Sequence, residues 1–322
     1  MMKNATDKAA SDHQTTSPWR FSRAAWIEIL KRSWREASDD SIGLVAAGVA
    51  FYGFLALVPL MGAMVLSYGL IADPATIAGH VQQLTATLPQ DAASLIGDQL
   101  RNVVETSGSK KGLGLVVALL LALFGARNGA GAVVTALNIA YDEEEKRGFI
   151  RLNFLALAIT LGAIIVALLA VGAITALGTL GELLPTAGDA VVIGGKILSY
   201  MLLTLGGAAG AATLYRYGPD RDRARWTWLT PGSLFAALTW IVLTLGFGVY
   251  VANFGNYNAT YGSLGAVVVL LTWLYLSAYV LLLGAELNAE CEHQTASDTT
   301  VGPSEPIGQR GALVADTVAE SS

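Results

Sequence analysis

Charge is missing from the longest single stretch of this chain: the 60 residues from Trp226 to Ala285 contain no Asp, Glu, Lys, Arg or His. Water cannot be the solvent for such a run. A membrane-spanning helix needs about 20 apolar residues, so the stretch holds two helices, with the turn Asn253 to Gly262 between them. Charge is scarce elsewhere too, at 14% of residues against 53% apolar, and the 35 glycines suit membrane helices better than soluble ones. Cys291 is the only cysteine, which excludes an internal disulfide framework. His13, His80 and His293 lie far apart without ligand spacing, so neither a metal site nor a cofactor is expected. No phosphate-cradling GKS/T loop, no His-Glu-x-x-His and no Gly-x-Ser-x-Gly elbow is present, so no catalytic residue is assigned and an enzyme is not expected. A cleavable leader is not expected either. The first apolar run begins near Ile42, beyond where a secretory signal ends, so the first membrane helix is expected to be retained.

What is present is a series of charge-poor windows at about 43–70, 112–141, 152–181, 191–215, 228–252 and 262–289. They predict an all-α integral membrane protein with six transmembrane helices in a membrane domain over 41–292. Residues 1–17 and 293–322, rich in Ser, Thr, Ala, Asp and Gly, read as disordered tails. Six spans put both ends on one side, and basic residues say which. Lys3, Lys8, Arg20, Arg23, Lys31, Arg32 and Arg35 precede the first span. Lys146, Arg147 and Arg151 fill the second connection, and Arg216, Arg221, Arg223 and Arg225 the fourth. By the positive-inside rule these segments, and both termini, face the cytoplasm.

Two amphipathic regions lie outside the windows. Residues 18–40 place Trp26, Ile27, Leu30 and Trp34 on one helical face with Arg23, Lys31, Arg32 and Arg35 around it. This pattern suits a cytoplasmic interfacial helix and equally a first helix packed on the bundle. Residues 74–106, broken at Pro89, suggest two short helices in the extracytoplasmic first loop, either capping a chamber or packing on the outer ends of the bundle.

Few polar groups fall inside the windows. Arg127, near the middle of the second, would cost about 2.5–3.5 kcal/mol at the bilayer centre unless it faces protein, a cavity or a lipid phosphate. With its neighbour Asn128 it is the leading candidate for a polar pathway or a lipid head-group contact, and a shifted helix that lets Arg127 snorkel is the alternative. Glu286 ends the neutral run at a depth that matches Arg216, which makes these two a candidate structural ion pair. Arg127 lies too deep to meet Glu286 directly. Pro59 interrupts the first window and is a candidate helix kink, or a packing residue. Gly206 with Gly210, and Ala46 with Ala50, have helix-contact spacing. The run Asp142–Glu145 reads as a solvated charge cluster rather than a cation site, and the sequon at Asn258 as incidental.

Several segments together resemble a known family: Ala46 to Leu60, Leu214-Tyr-Arg-Tyr-Gly-Pro219, Pro231-Gly-Ser-Leu-Phe-Ala-Ala237, Tyr257 to Gly265 and Gly284-Ala-Glu-Leu-Asn-Ala-Glu290. They are similar to the YihY/BrkB family of bacterial inner-membrane proteins, over roughly residues 25–292. The resemblance implies a six-span protein of the bacterial inner membrane. The family once carried a ribonuclease BN label widely regarded as a misassignment, and it has no established catalytic set to carry over. Two functions remain in view. One is a transporter or translocation factor for an envelope lipid or another amphiphile, since a mid-depth Arg suits a phosphate head group. The other is a non-transporting scaffold that docks envelope proteins. Membrane lipids, envelope proteins and further copies of the chain are the expected partners, and nucleic acid is not.

Overall fold

A computed structural model describes residues 12–69, 79, 113–183, 189–254 and 263–319. A 3-10 turn at Pro18–Arg20 leads into α1 (Arg23–Asp39), followed by six long helices: α2 (Ile42–Gly69), α3 (Leu113–Ala140), α4 (Phe149–Leu183), α5 (Asp189–Tyr217), α6 (Trp226–Phe254) and α7 (Ser263–His293). A single turn, α8 (Leu313–Asp316), closes the chain. Among the described residues there is no strand, only an isolated bridge between Ala224 and Thr300. Among the described residues four helical stretches are long and apolar enough to cross a membrane: Leu119–Ala140, Phe149–Val166, Trp226–Val251 and Val267–His293. The bent pair Arg23–Asp39 and Ile42–Leu57 makes a fifth if it counts as one span. The two amphipathic segments of the first loop and most of the turn after Asn253 lie outside the described residues.

α1 starts where Ser22 caps it, its hydroxyl accepting from the Ala25 amide at 3.2 Å. Asp12 holds that cap from outside, accepting from the Ser22 amide and hydroxyl. The helix turns Ala25, Ile29, Ser33 and Ala37 inward onto α7. Full burial of Ile29 alone is worth about 1.5–3 kcal/mol. Trp26 is half-buried against Phe21, while Ile27, Leu30 and Trp34 stay exposed. α1 ends at Asp39, and Ser41 beyond it, at a positive φ of 52°, lies in the joint where the chain turns by 64° into α2.

The bundle is held by close backbone approaches. Gly125 and Gly129, four residues apart on α3, receive Pro59 and Ala56 of α2, the small-residue spacing that lets membrane helices meet. α2 runs unbroken through Pro59, which serves this packing. The expected glycine contact on α5 falls one residue away: Gly207 faces Ala237 of α6 at 3.7 Å, whereas nothing among the described residues lies within 4 Å of Gly206 or Gly210.

α6 and α7 approach most tightly. A side chain at Gly232 would collide with the Gly284 carbonyl, and one at Gly284 would meet the Tyr215 hydroxyl and the Gly232 carbonyl. Pro231 lacks the amide that would satisfy the Thr227 carbonyl. The Thr230 hydroxyl donates there instead, at 2.8 Å. Asn288 of α7 completes the repair, accepting from the Gly232 amide at 2.7 Å and donating to the Leu229 carbonyl at 3.2 Å. Two buried backbone groups are thereby satisfied from a neighbouring helix.

Residues 294–319 correct the expectation of a disordered C-terminal tail. They fold back over one end of the bundle: the Asp222 amide donates to the Gly311 carbonyl, the Arg225 amide to Thr299, the Leu313 amide to the Glu143 carboxylate and the Ala319 amide to His293. Arg310 is buried and its guanidinium donates to the carbonyls of Ala296, Ser297, Glu305 and Ala315. Composition hid this order, because hydrogen bonds hold most of the segment and only the short stretch around Val314 enters the hydrophobic core.

Candidate functional site

Two places collect the unusual chemistry. The first is a cavity of about 540 Å³ at the centre of the bundle, to which every long helix contributes: Ala50 and Gly53 from α2, Ala126 and Ala130 from α3, Ala163 from α4, Gly207 and Ala211 from α5, Ala237 from α6, Ala278 from α7. Small residues make the space, since Ala and Gly leave volume where Leu would fill it. Its polar side chains are Thr160, Trp240 and Ser277, and all three are engaged. The Thr160 hydroxyl donates to the Ala156 carbonyl at 2.8 Å and the Trp240 indole to the Ser277 hydroxyl at 3.0 Å. Among the described residues no charged side chain lines the space. An occupant therefore meets a surface that offers dispersion and little else.

Arg127 is not part of that lining. Successive helical residues are about 100° apart, so while Ala126 and Ala130 face the cavity, Arg127 turns toward the flank of α3. Its guanidinium lies 4.9 Å from the centre of the Phe124 ring, and Phe124 is exposed on the outer surface. The Arg127 Nε is buried without a hydrogen-bond partner, and Asn128 is exposed.

The second place is the polar end of the bundle, where α1, the α3–α4 and α5–α6 connections and residues 294–319 meet. Arg221 and Glu292 form a two-pronged pair at 2.7 and 3.1 Å, with side chains 2% and 0% exposed. The Thr299 hydroxyl also donates to Glu292, and Arg221 lies over the Tyr141 ring. Arg32 pairs with Glu290, which His293 also contacts. In the α3–α4 connection, read from sequence as a solvated cluster, Glu145 bonds Arg147 and Asn138, and Asp220 accepts from the Lys146 amide. The Arg147 hydrogen bond holds the Glu145 carboxyl below the usual carboxylate range.

The expected pair of Arg216 with Glu286 is not formed. Arg216 donates to the Ala224 carbonyl and stacks on Trp226 at 4.6 Å, binding its own connection. Glu286 points instead toward the α1–α2 joint, within side-chain hydrogen-bonding reach of Asp40. Matching depth along two helices fixed the height of both groups but said nothing about which way around its helix each one pointed. Sequence reading also passed over Asp40, Asn288 and the Arg221–Glu292 pair. Arg221 had counted only toward orientation, and Asp40 had been the last polar residue before an apolar run.

Comparison with known proteins agrees with this architecture. The chain is 31% identical over 248 residues to the putative ribonuclease-like protein YfkH of Bacillus subtilis, covering 76% of this chain and 88% of that one. A UPF0761 membrane protein of Rhodospirillum centenum is 28% identical over 280 residues, which is 84% of this chain and 59% of the relative, so the chain spans little more than half of that protein. A UPF0761 membrane protein of Pseudoalteromonas translucida is 26% identical over 279 residues, 85% and 88% of the two chains. No solved structure matches the chain. The family described as Virulence factor BrkB matches residues 33–307, nearly the whole described bundle, and this multi-pass membrane protein belongs to it.

Proposed function

We propose that the chain is a transporter or translocation factor for an envelope lipid or other amphiphile, spanning a bacterial inner membrane six times with both termini in the cytoplasm. The observation that carries this reading is the central cavity. Its volume of about 540 Å³ falls within the roughly 300–1,000 Å³ typical of ligand sites. Its satisfied polar groups leave an acyl chain or similar apolar moiety as the fitting occupant. Arg127, on the outer flank of α3 with a buried Nε unpartnered, would meet the phosphate of such a molecule from the lipid side. The basic connections, Arg147 and Arg221 through Arg225 among them, support a cytoplasmic polar end.

A scaffold without transport is the second reading, favoured by the exposed Trp19, Ile27, Leu30 and Trp34 beside α1, an apolar face ready for a membrane surface or an envelope partner. Catalysis stays outside both readings. The ribonuclease wording is part of the Bacillus relative's name and is not carried over to this chain.

Mass spectrometry of lipids that co-purify with the detergent-extracted protein tests the proposal, with wild type, Ala130→Leu and Arg127→Gln matched for size-exclusion profile. An amphiphile enriched with wild type, depleted when Ala130→Leu fills the cavity and exchanged for uncharged species in Arg127→Gln, is the expected outcome. Identical lipid profiles in all three would favour the scaffold.

A further inference from the structure

The polar end contains carboxylates that none of its cations reaches. Asp40 sits at the joint where α1 turns into α2, Asp142 follows α3 with a positive φ of 54°, and Glu286 projects from α7. None of the three belongs to an ion pair among the described residues. The nearby basic side chains are engaged elsewhere: Arg32 on Glu290 and Gln294, His293 on Glu290, Arg221 on Glu292, Arg147 on Glu145. The remaining charges acting on the three are Glu36 and Asp39 of α1 and Glu290 of α7, all of the same sign, with His293 the counterweight at Asp142.

Within this group Glu286 is only 3% exposed, and its Oε1 is buried with no partner. Ala37 and Ile42, which bracket Asp40, share one buried cluster with Ala285 and Ala289, which bracket Glu286, and the two carboxyls lie within hydrogen-bonding reach of each other. Two carboxylates cannot hydrogen-bond to one another, since both only accept; one proton between them converts repulsion into a bond. A divalent cation would need a third ligand in place, and no such trio exists among the described residues.

We infer that Asp40 and Glu286 form a proton-binding site, one proton shared between the two carboxyls, which ties the α1–α2 joint to α7. Loss of the proton leaves two like charges in contact at a hinge, with Ser41 already in the left-handed conformation and Ile42 buried beneath. The joint then separates from α7, and α1, which lies on α7 through Ala25, Ile29, Ser33 and Ala37, is the element free to follow. Burial first, and then Asp142, Glu36 and Asp39, push the Asp40 carboxyl up to about 6; that lower step adds a second proton to the pair, and the shared one, which separates two like charges, is held to higher pH. A pair that shares a proton titrates as a unit.

Infrared difference spectroscopy on the full chain in lipid nanodiscs reads the proton directly, because a protonated carboxyl absorbs apart from a carboxylate. Wild type is expected to keep a protonated-carboxyl band at neutral pH that disappears on alkalinisation. Glu286→Gln is expected to lose it, and Asp40→Asn to lose it or shift its frequency. Absence of the band from neutral wild type, or its survival unshifted in both variants, would overturn the inference. Glu286→Gln keeps the shape of the side chain. Should it nonetheless fail to fold, the wild-type titration and Asp40→Asn decide the matter on their own.

Discussion

The two halves of the bundle are built on opposite chemistry. At the polar end many buried groups are answered by one another, Arg221 by Glu292, the Pro231 gap by Thr230 and Asn288, Arg310 by four carbonyls, while the Glu286 Oε1 stands unanswered among them. In the apolar middle little is specified beyond small size, and the reward for that economy is an open volume. A membrane bundle cannot use the hydrophobic effect to choose between helix arrangements, because lipid is as apolar as the core. Specificity therefore has to come from close glycine contacts and satisfied polar groups, and here most of the satisfied polar groups and the tightest glycine contact, Gly232 on Gly284, lie toward one end. The middle is left able to hold something else.

The largest break in this contrast comes from Arg221→Ala, which strands Glu292 without its counter-charge in a fully buried position. Removing one partner of a buried pair costs about 3–5 kcal/mol, so thermal unfolding in detergent should show a collapse of stability. Arg221→Met with Glu292→Leu should recover most of it. Gly232→Ala comes next, since its methyl collides with the Gly284 backbone rather than with a side chain that can swing away. A loss near the top of the usual overpacking range, about 3 kcal/mol, is expected in the same assay.

Asp40→Asn has a smaller effect that depends on pH. Asp40 binds its proton more tightly in the folded chain, at about 6 against the ordinary 3.8. Stability from this group is therefore full below the ordinary value and is lost as pH rises through about 6. The variant should flatten that part of the melting-temperature profile, and an unchanged slope would assign it to other groups. Gly206→Ala sharpens the comparison from the other side. It faces open space, so stability should stay within about 0.5 kcal/mol of wild type, whereas the equivalent change at Gly232 should not.

The apolar windows of the sequence and the long helices coincide within about four residues at each end. Hydropathy made this legible, because exclusion of charge is a local property that needs no knowledge of neighbours. What sequence could not show was rotation about each helix axis. Arg127 stood out by depth, yet only the packing of Gly125 and Gly129 on α2 places it on the flank rather than in the cavity. Arg216 and Glu286 failed as a pair for the same reason. The fold of residues 294–319 was hidden differently: its bonds run to positions far earlier in the chain, from His13 to Arg225. A polar composition is consistent with either disorder or a segment of satisfied backbone.

The contact of Gly232 with Gly284, clasped by Asn288, has a mechanical consequence. Two backbones touching with no side chain between them have no slack for sliding, and the amide of Asn288 fixes their rotation as well. α6 and α7 therefore travel as one stiff lever. Any motion that admits a molecule to the centre of the bundle has to be made by the other helices swinging against it, with α7 as the fixed post on which α1 rests.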